Sequence, residues 1–245
     1  MGANNNFFNK SRSRLQPKNF VSLWDFDGGA SWKLDKIGSN DLTLKSGTTL
    51  IPISLIGRSK NFNNNTLEAD NNINLSFTDG VNDIKGGFSM LIKFDSVGSN
   101  QFILNKRNNF GNDGILNKEY QINHNGTNLQ FLIFDQINGG SIRVAYAWTP
   151  TISQWYQVQC YYDGSGLHTG LKMYVDGVSV GTTSLTGTYT SNQNYATKFV
   201  IGTDSWSRTI DFGGELDEIK KSKIVLTDAE ALELATKELA GIKVI

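Results

Sequence analysis

Glu215 and Asp217, in the run GGELDEIKKSK from Gly213 to Lys223, come nearest in this chain to hydrolytic chemistry by residue type and spacing. Side chains two apart on a β-strand point to the same face, so the pair would present two carboxylates together. Two carboxyl groups, one holding a proton and one ionised, are what glycoside cleavage requires. Continuing along that face, Ile219 adds no further acid. Glu218 falls on the opposite parity, so a regular strand turns it away from Glu215, and only a bulge would bring it round.

Other reactive residue types are sparse. The two histidines, His124 and His168, lie far apart in sequence without acidic or cysteine neighbours, which supports neither a zinc site nor a Ser/His/Asp arrangement. The lone Cys160 alternates with Val158 and Tyr162 in QWYQVQCYYDG, the pattern of a small buried residue. The glycines of GSGLHTG precede no helix, so they form a hairpin loop and not a phosphate cradle. Two polar, turn-rich loops remain, NKRNNFGNDGILNK (105–118) and GTDSWSRTIDFGG (202–214). They set Phe110 beside Arg107 and Trp206 beside Arg208. An aromatic face next to fixed hydrogen-bond donors suits a sugar ring, which offers C–H patches and hydroxyls together. These four residues are the expected glycan contacts.

The elements that would hold these residues are strands. From Phe20 onward, about a dozen short apolar or alternating runs recur between turn signals, among them FVSLWDF, NINLSFTDG, GGFSMLIKFD, LQFLIFDQ and WYQVQCYYDG. No helical pattern separates them, so they pair antiparallel in an all-β sandwich or barrel. Abundant glycine (25) with scarce proline (3) fits many tight turns. Asp176–Gly177 between β-branched residues predicts a two-residue hairpin, and Asn125–Gly126 a second. Only the end changes period: Thr227 and Glu230 form a capping box, Leu232, Ala235 and Leu239 an apolar stripe, and Gly241 a C-cap, which predicts one helix over 228–240. Residues 1–19 show neither period and carry Arg12, Arg14 and Lys18 near Pro17, so they are expected to be an extended arm, with 20–245 as the folded body.

Taken in order, the motifs LWDFDGG, DKIGSNDLTL, GGFSMLIKF, QWYQVQCYYDGSG, LKMYVDGVSVG, FVIGTD and GGELDEIKKSKIVLTDAEALEL resemble the laminin-G-like jelly roll of the concanavalin A-like lectin and glucanase superfamily, from about Leu23 to Leu234. The resemblance implies a two-sheet antiparallel jelly-roll sandwich with a C-terminal helix. It departs from the family strand at 92–93, where Ile92 or Lys93 stands in place of tryptophan. By the same resemblance, Asp217 takes the place of a structural aspartate. Relatives often bind calcium through carboxylates and loop carbonyls, so Asp27, Asp35, Asn40 and Asp217 are the oxygen donors by which this chain would hold Ca²⁺, with no cofactor otherwise required.

A fold shared by lectins, adhesion modules, enzymes and virion proteins does not choose an activity. Net charge is zero, so no basic field exists to hold a nucleic acid or an anionic membrane surface. No run approaches the roughly 20 apolar residues of a membrane span, and the N-terminal stretch lacks a signal-peptide core. The reading that follows is a non-catalytic structural or decorating protein of an assembly, a phage virion surface made in the host cytoplasm. It would be oligomeric there, would dock on neighbouring structural proteins through the arm, and would contact surface glycans. A free carbohydrate-binding lectin is the alternative, and a glycoside hydrolase is disfavoured, because resemblance to laminarinase-like glycosidases implies a second Glu two or three positions after Asp217, where Ile219 and Lys220 stand.

Overall fold

The computed structural model describes residues 19–46, 50–51, 54–108, 117–204 and 210–244. In chain order the strands are β1 (Phe20–Trp24), β2 (Thr43–Ser46), β3 (Leu50–Ile51), β4 (Ser59–Asn61), β5 (Thr66–Ala69), β6 (Gly86–Phe94), β7 (Asn100–Asn108) and β8 (Asn117–Asn125). They continue with β9 (Asn128–Asp135), β10 (Gly140–Ala147), β11 (Trp155–Tyr162), β12 (Leu171–Val175), β13 (Val178–Val180), β14 (Thr182–Thr186), β15 (Phe199–Ile201) and β16 (Gly214–Ser222), and one helix, α1 (Asp228–Leu239), follows.

Two sheets form among the described residues. Sheet A runs β13-β12-β11-β6-β16-β4-β3, with β1 also paired to β16, and sheet B runs β14-β10-β9-β8-β7-β15-β5-β2. Every pairing between named strands is antiparallel, and the two sheets form the sandwich that the motif order implies. Alternation fills the space between them: Phe88, Met90, Ile92 and Phe94 of β6 face Tyr120 and Ile122 of β8, Phe131 and Ile133 of β9, and Phe199 of β15 in one apolar cluster. Phe199 stacks between Trp24 (5.4 Å) and Phe88 (5.6 Å), and each such ring contributes about 1.5–3 kcal/mol by leaving water.

Asp176 (φ 52°) and Gly177 (φ 79°) both adopt the left-handed conformation that a two-residue hairpin demands, as their sequence predicts. The second predicted hairpin joins β8 to β9, where the Asn125 side chain accepts from the backbone of Thr127 and Asn128. Short strands the alternation did not reveal are β3, β4, β5 and β14. Conversely, the expected strand NINLSF is a 3-10 turn at Ile73–Leu75, because the Asn72 side chain accepts from Asn74 N and diverts the backbone from a ladder.

The helix starts at the capping box, with Thr227 Oγ1 accepting from Glu230 N and Glu230 Oε2 accepting from Thr227 N. It closes at Gly241 (φ 75°), where the N–H groups of Gly241 and Ile242 donate to Glu238 and Lys237. Its buried face differs from the predicted stripe. Ala231, Leu234, Ala235 and Glu238 are buried, while Leu232 is 52% exposed. Ala231 and Leu234 pack on Tyr161 and Tyr174, which belong to the face of sheet A turned away from sheet B. The helix also reaches β16, where its Glu238 shares Lys220 with Glu218.

Candidate ligand-binding face

The carboxylate pair lies on the face of β16 turned away from the core. Leu216 and Ile219 point into the core, and Glu215 and Asp217 point outward, so the parity expected from the sequence holds up to Asp217. Glu215 is neutralised by Lys93 at 2.5 Å and accepts from Ser59 Oγ at 2.6 Å. Asp217 accepts from Ser54 Oγ at 2.8 Å and from Glu218 N. Burial, reinforced by the Glu218 charge, pushes the Asp217 carboxyl up to about 9.

The strand is not regular, however. The register shifts between Asp217 and Lys220, and Glu218 sits at φ 49°, so the bulge that parity required is present. It brings Glu218 to Lys220 (2.6 Å), whose ammonium also meets Glu238 of α1 at 2.5 Å. All three side chains are fully buried. The bulge therefore builds an internal ion-pair cluster that fastens the helix and leaves Glu218 no open path to a substrate.

The residues expected to hold calcium fall in two places. Asp35 Oδ1 accepts from the backbone N–H of Leu23, Ile37 and Gly38, and its Oδ2 from Asn40 N, so it braces the loop after β1. Asn40 donates to Ser22 Oγ, and its carbonyl accepts from Trp24 Nε1. Asp27 accepts from Arg58 N and pairs with Lys243, which also pairs with Asp25 at 2.6 Å. Among the described residues no group of three or more His, Cys, Asp or Glu side chains is placed to hold a metal ion. The lone Cys160 is fully buried, and burial pushes its thiol up.

Of the four expected glycan contacts, Phe110, Trp206 and Arg208 lie outside the described residues, as does the arm up to residue 18. Arg107 is described, at the end of β7 where the 109–116 segment begins. Its guanidinium lies between the rings of Phe102 (5.6 Å) and Phe134 (5.8 Å) and donates to Gln121 Oε1. Gln121 passes a hydrogen bond to Asn123, and Asn123 to Asn100. Lys118 stands over the same Phe134 ring at 5.4 Å.

This line of donors crosses the face of sheet B turned away from the core, since Gln121 and Asn123 alternate with the buried Tyr120 and Ile122. Burial lowers the Arg107 guanidinium to about 10, opposed by Asp204, so it stays charged at neutral pH. Asp204 is the described stem of the second loop: it accepts from Ile210 N across the 205–209 segment. On the same sheet a cleft of about 180 Å³ is lined by Glu68, Arg107, Asn108, Thr197 and Lys198. The sequence reading missed Gln121, Asn123 and Phe134. Their off-phase parity in EYQINHN and LQFLIFD was the available signal, because polar side chains alternating with core residues must line the outer face.

A laminin-G-type family model, described as the concanavalin A-like lectin/glucanases superfamily, matches residues 62–231. The chain belongs to this superfamily. Among solved structures, the binding domain of Paraclostridial Mosquitocidal Protein 1 is similar with a TM-score of 0.66 at 15% identity, over 92% of this chain and 56% of that one. The receptor-binding domain of botulinum neurotoxin mosaic serotype C/D gives 0.65 at 11% identity, over 90% and 51%. A botulinum neurotoxin type C structure, whose cell entry depends on interaction with two ganglioside molecules, gives 0.65 at 13% identity, over 91% and 52%. The chain thus spans about half the length of these structures, and at such identity the likeness is one of fold. No curated protein sequence matches it. No described helix is long and apolar enough to cross a membrane.

Proposed function

We propose that this superfamily member is a non-catalytic glycan-binding jelly roll that works as a structural or decorating component of an assembly, on the model of a phage virion surface. The observation that carries the binding reading is the sheet B face, where Arg107, Gln121, Asn123 and Asn100 are tied into one hydrogen-bonded line beside the rings of Phe102 and Phe134. Donors already held in place lose little freedom when a sugar binds, and the aromatic edges supply apolar contact. The segments that carry Phe110, Trp206 and Arg208 follow Asn108 and Asp204 in the chain. Neighbours of the same fold include receptor-binding domains, and the cell entry of one neighbour, botulinum neurotoxin type C, depends on interaction with gangliosides, which supports surface glycan recognition as the use of the sandwich. The non-catalytic reading rests on the carboxylates: Glu215 is neutralised by Lys93, and Glu218 is buried against Lys220 beneath α1.

A glycan array followed by titration tests this. The parent binds a defined set of glycans, and Phe134→Ala or Trp206→Ala weakens that binding about tenfold, or roughly 1.4 kcal/mol, without loss of the folded circular dichroism signal. Silence across the array, or release of reducing sugar from β-glucans that Glu215→Gln abolishes, would sink the proposal. The assembly role is tested by removing residues 1–19. The remainder folds and binds glycan but no longer incorporates into the particle, and full incorporation refutes the docking arm.

A further inference from the structure

At one end of the sandwich, β1 and β16 meet the 72–85 segment around a cleft of about 280 Å³, lined among others by Asn74, Ile84, Lys85, Lys221 and Lys223. No acidic residue lines it. Lys85 and Lys223 are exposed, whereas Lys221 is 2% exposed. The Lys221 ammonium sits 3.7 Å from the centroid of the Phe77 ring and 5.0 Å from that of Phe88, and no carboxylate or hydrogen-bond acceptor meets it among the described residues. The absent side chain of Gly86 makes room for it: a Cβ there would stand 3.0 Å from Lys221 Nζ and 2.7 Å from the Ser222 carbonyl.

The charged groups that face Lys221 give it no counterion of its own. From β8, Glu119 acts on it through space, but that carboxylate is already held by Lys106 of β7 and by Ser76 Oγ at 2.8 Å. Lys85 precedes β6 and Lys223 follows β16, and both add positive charge. A cation surrounded by ring faces and like charges is costly to keep in the folded state. Burial accordingly lowers the Lys221 amine to about 7, against the pull of Glu119. Everything the site lacks would be supplied by one anion.

We propose that this cleft binds a small oxyanion, a carboxylate, sulfate or phosphate group, held by Lys221 at its base and by Lys85, Lys223 and Asn74 at its rim. Three ammonium groups make charge-assisted hydrogen bonds to one oxyanion while Phe77 and Ile84 exclude water. The site lies at the β1/β16 end, and its argument uses none of Arg107, Gln121, Asn123, Asn100, Phe102 and Phe134, so it stands or falls apart from the glycan reading. Binding favours the protonated amine, so a proton is taken up with the anion above about pH 7, and affinity falls as pH rises.

Calorimetric titration of the full chain with sulfate, inorganic phosphate and glucuronate, at fixed ionic strength, tests it. A saturable one-to-one isotherm is expected for at least one probe. Response to sulfate and phosphate alone points to an inorganic or phosphoryl ligand, and response to glucuronate alone to an acidic sugar. For sulfate, which does not titrate in this range, affinity drops roughly tenfold between pH 6 and pH 8.5, and proton uptake shows as a heat that depends on the buffer. Lys221→Met lowers affinity about tenfold or more. The double variant Lys85→Gln/Lys223→Gln changes only exposed side chains, keeps the fold, and weakens binding several-fold. No saturable heat with any probe at tens of millimolar overturns the proposal, as does a double variant that binds like the parent.

Discussion

Replacing Lys220 by methionine should be among the most damaging single substitutions outside the apolar core. Lys220 is fully buried, with Glu218 at 2.6 Å and Glu238 at 2.5 Å, so one ammonium serves two carboxylates in a space closed to water. Burial pulls the Lys220 amine down, but Glu238 and Glu218 more than offset it, and its pKa stands above the ordinary lysine value. Burial likewise pushes Glu238 up, and Lys220 is the main opposing influence. Methionine fills the space but leaves two carboxyl groups facing each other, and breaking a buried pair in this way costs about 3–5 kcal/mol. For a chain of this size, where 1 kcal/mol moves the midpoint about 2–4 °C, Tm falls by roughly 6–20 °C. The sign with pH is also set. Without Lys220 the upward push of burial on Glu238 loses its main opposition, so the lost stability returns as pH falls into the carboxylate range and is absent at neutral pH. Denaturant unfolding followed by the fluorescence of the buried Trp24, at pH 5 and pH 7.5, gives both numbers. The triple variant Glu218→Gln/Lys220→Met/Glu238→Leu, which removes every charge, should recover to within about 1 kcal/mol of the parent. A loss under about 1 kcal/mol in Lys220→Met, with no change in pH dependence, would refute the view that this cluster fastens the helix to the sheet.

Two other substitutions follow from the same region. Asp217 has a folded pKa of about 9 against an ordinary 3.8, so the folded chain holds a proton that the unfolded chain releases, and its contribution is lost as pH rises from 4 to 9. Asp217→Asn should remove that dependence, its advantage over the parent growing by up to about 1.4 kcal/mol per pH unit. Urea unfolding at four pH values checks it, and a flat difference would count against the buried neutral acid. Thr227→Ala deletes the cap of α1 and the reciprocal bond to Glu230, at a cost of about 0.5–2 kcal/mol. Thr227→Ser should keep most of that stability, read from the same denaturation midpoint.

Much of the sandwich was legible because alternation is a local property: Phe88 to Phe94, Tyr120 to Ile122 and Phe131 to Ile133 enter the core by parity alone. The failures have local causes too. Asn72 turned an apparent strand into a 3-10 turn by bonding its own neighbour, and β3, with two residues, is too short to show a period. The helix stripe differs from the expected one because Ala231 and Leu234 are the residues that meet Tyr161 and Tyr174, and because Glu238 finds a buried lysine that no spacing rule reveals.

The sequence by itself determined the strand content, the hairpin at Asp176–Gly177, the capped terminal helix and the shared face of Glu215 and Asp217, since each depends on residues adjacent in the chain. Tertiary structure alone decided the rest. The bulge at Glu218 is stabilised by Lys220 and by Glu238 twenty residues away, Arg107 meets Gln121 and Phe134 only because β7, β8 and β9 lie side by side, and Lys221 lacks a partner only because Glu119 has been taken by Lys106. Charge and hydrogen-bond satisfaction are settled by whichever groups the fold brings within about 3 Å, and a linear pattern carries no record of that.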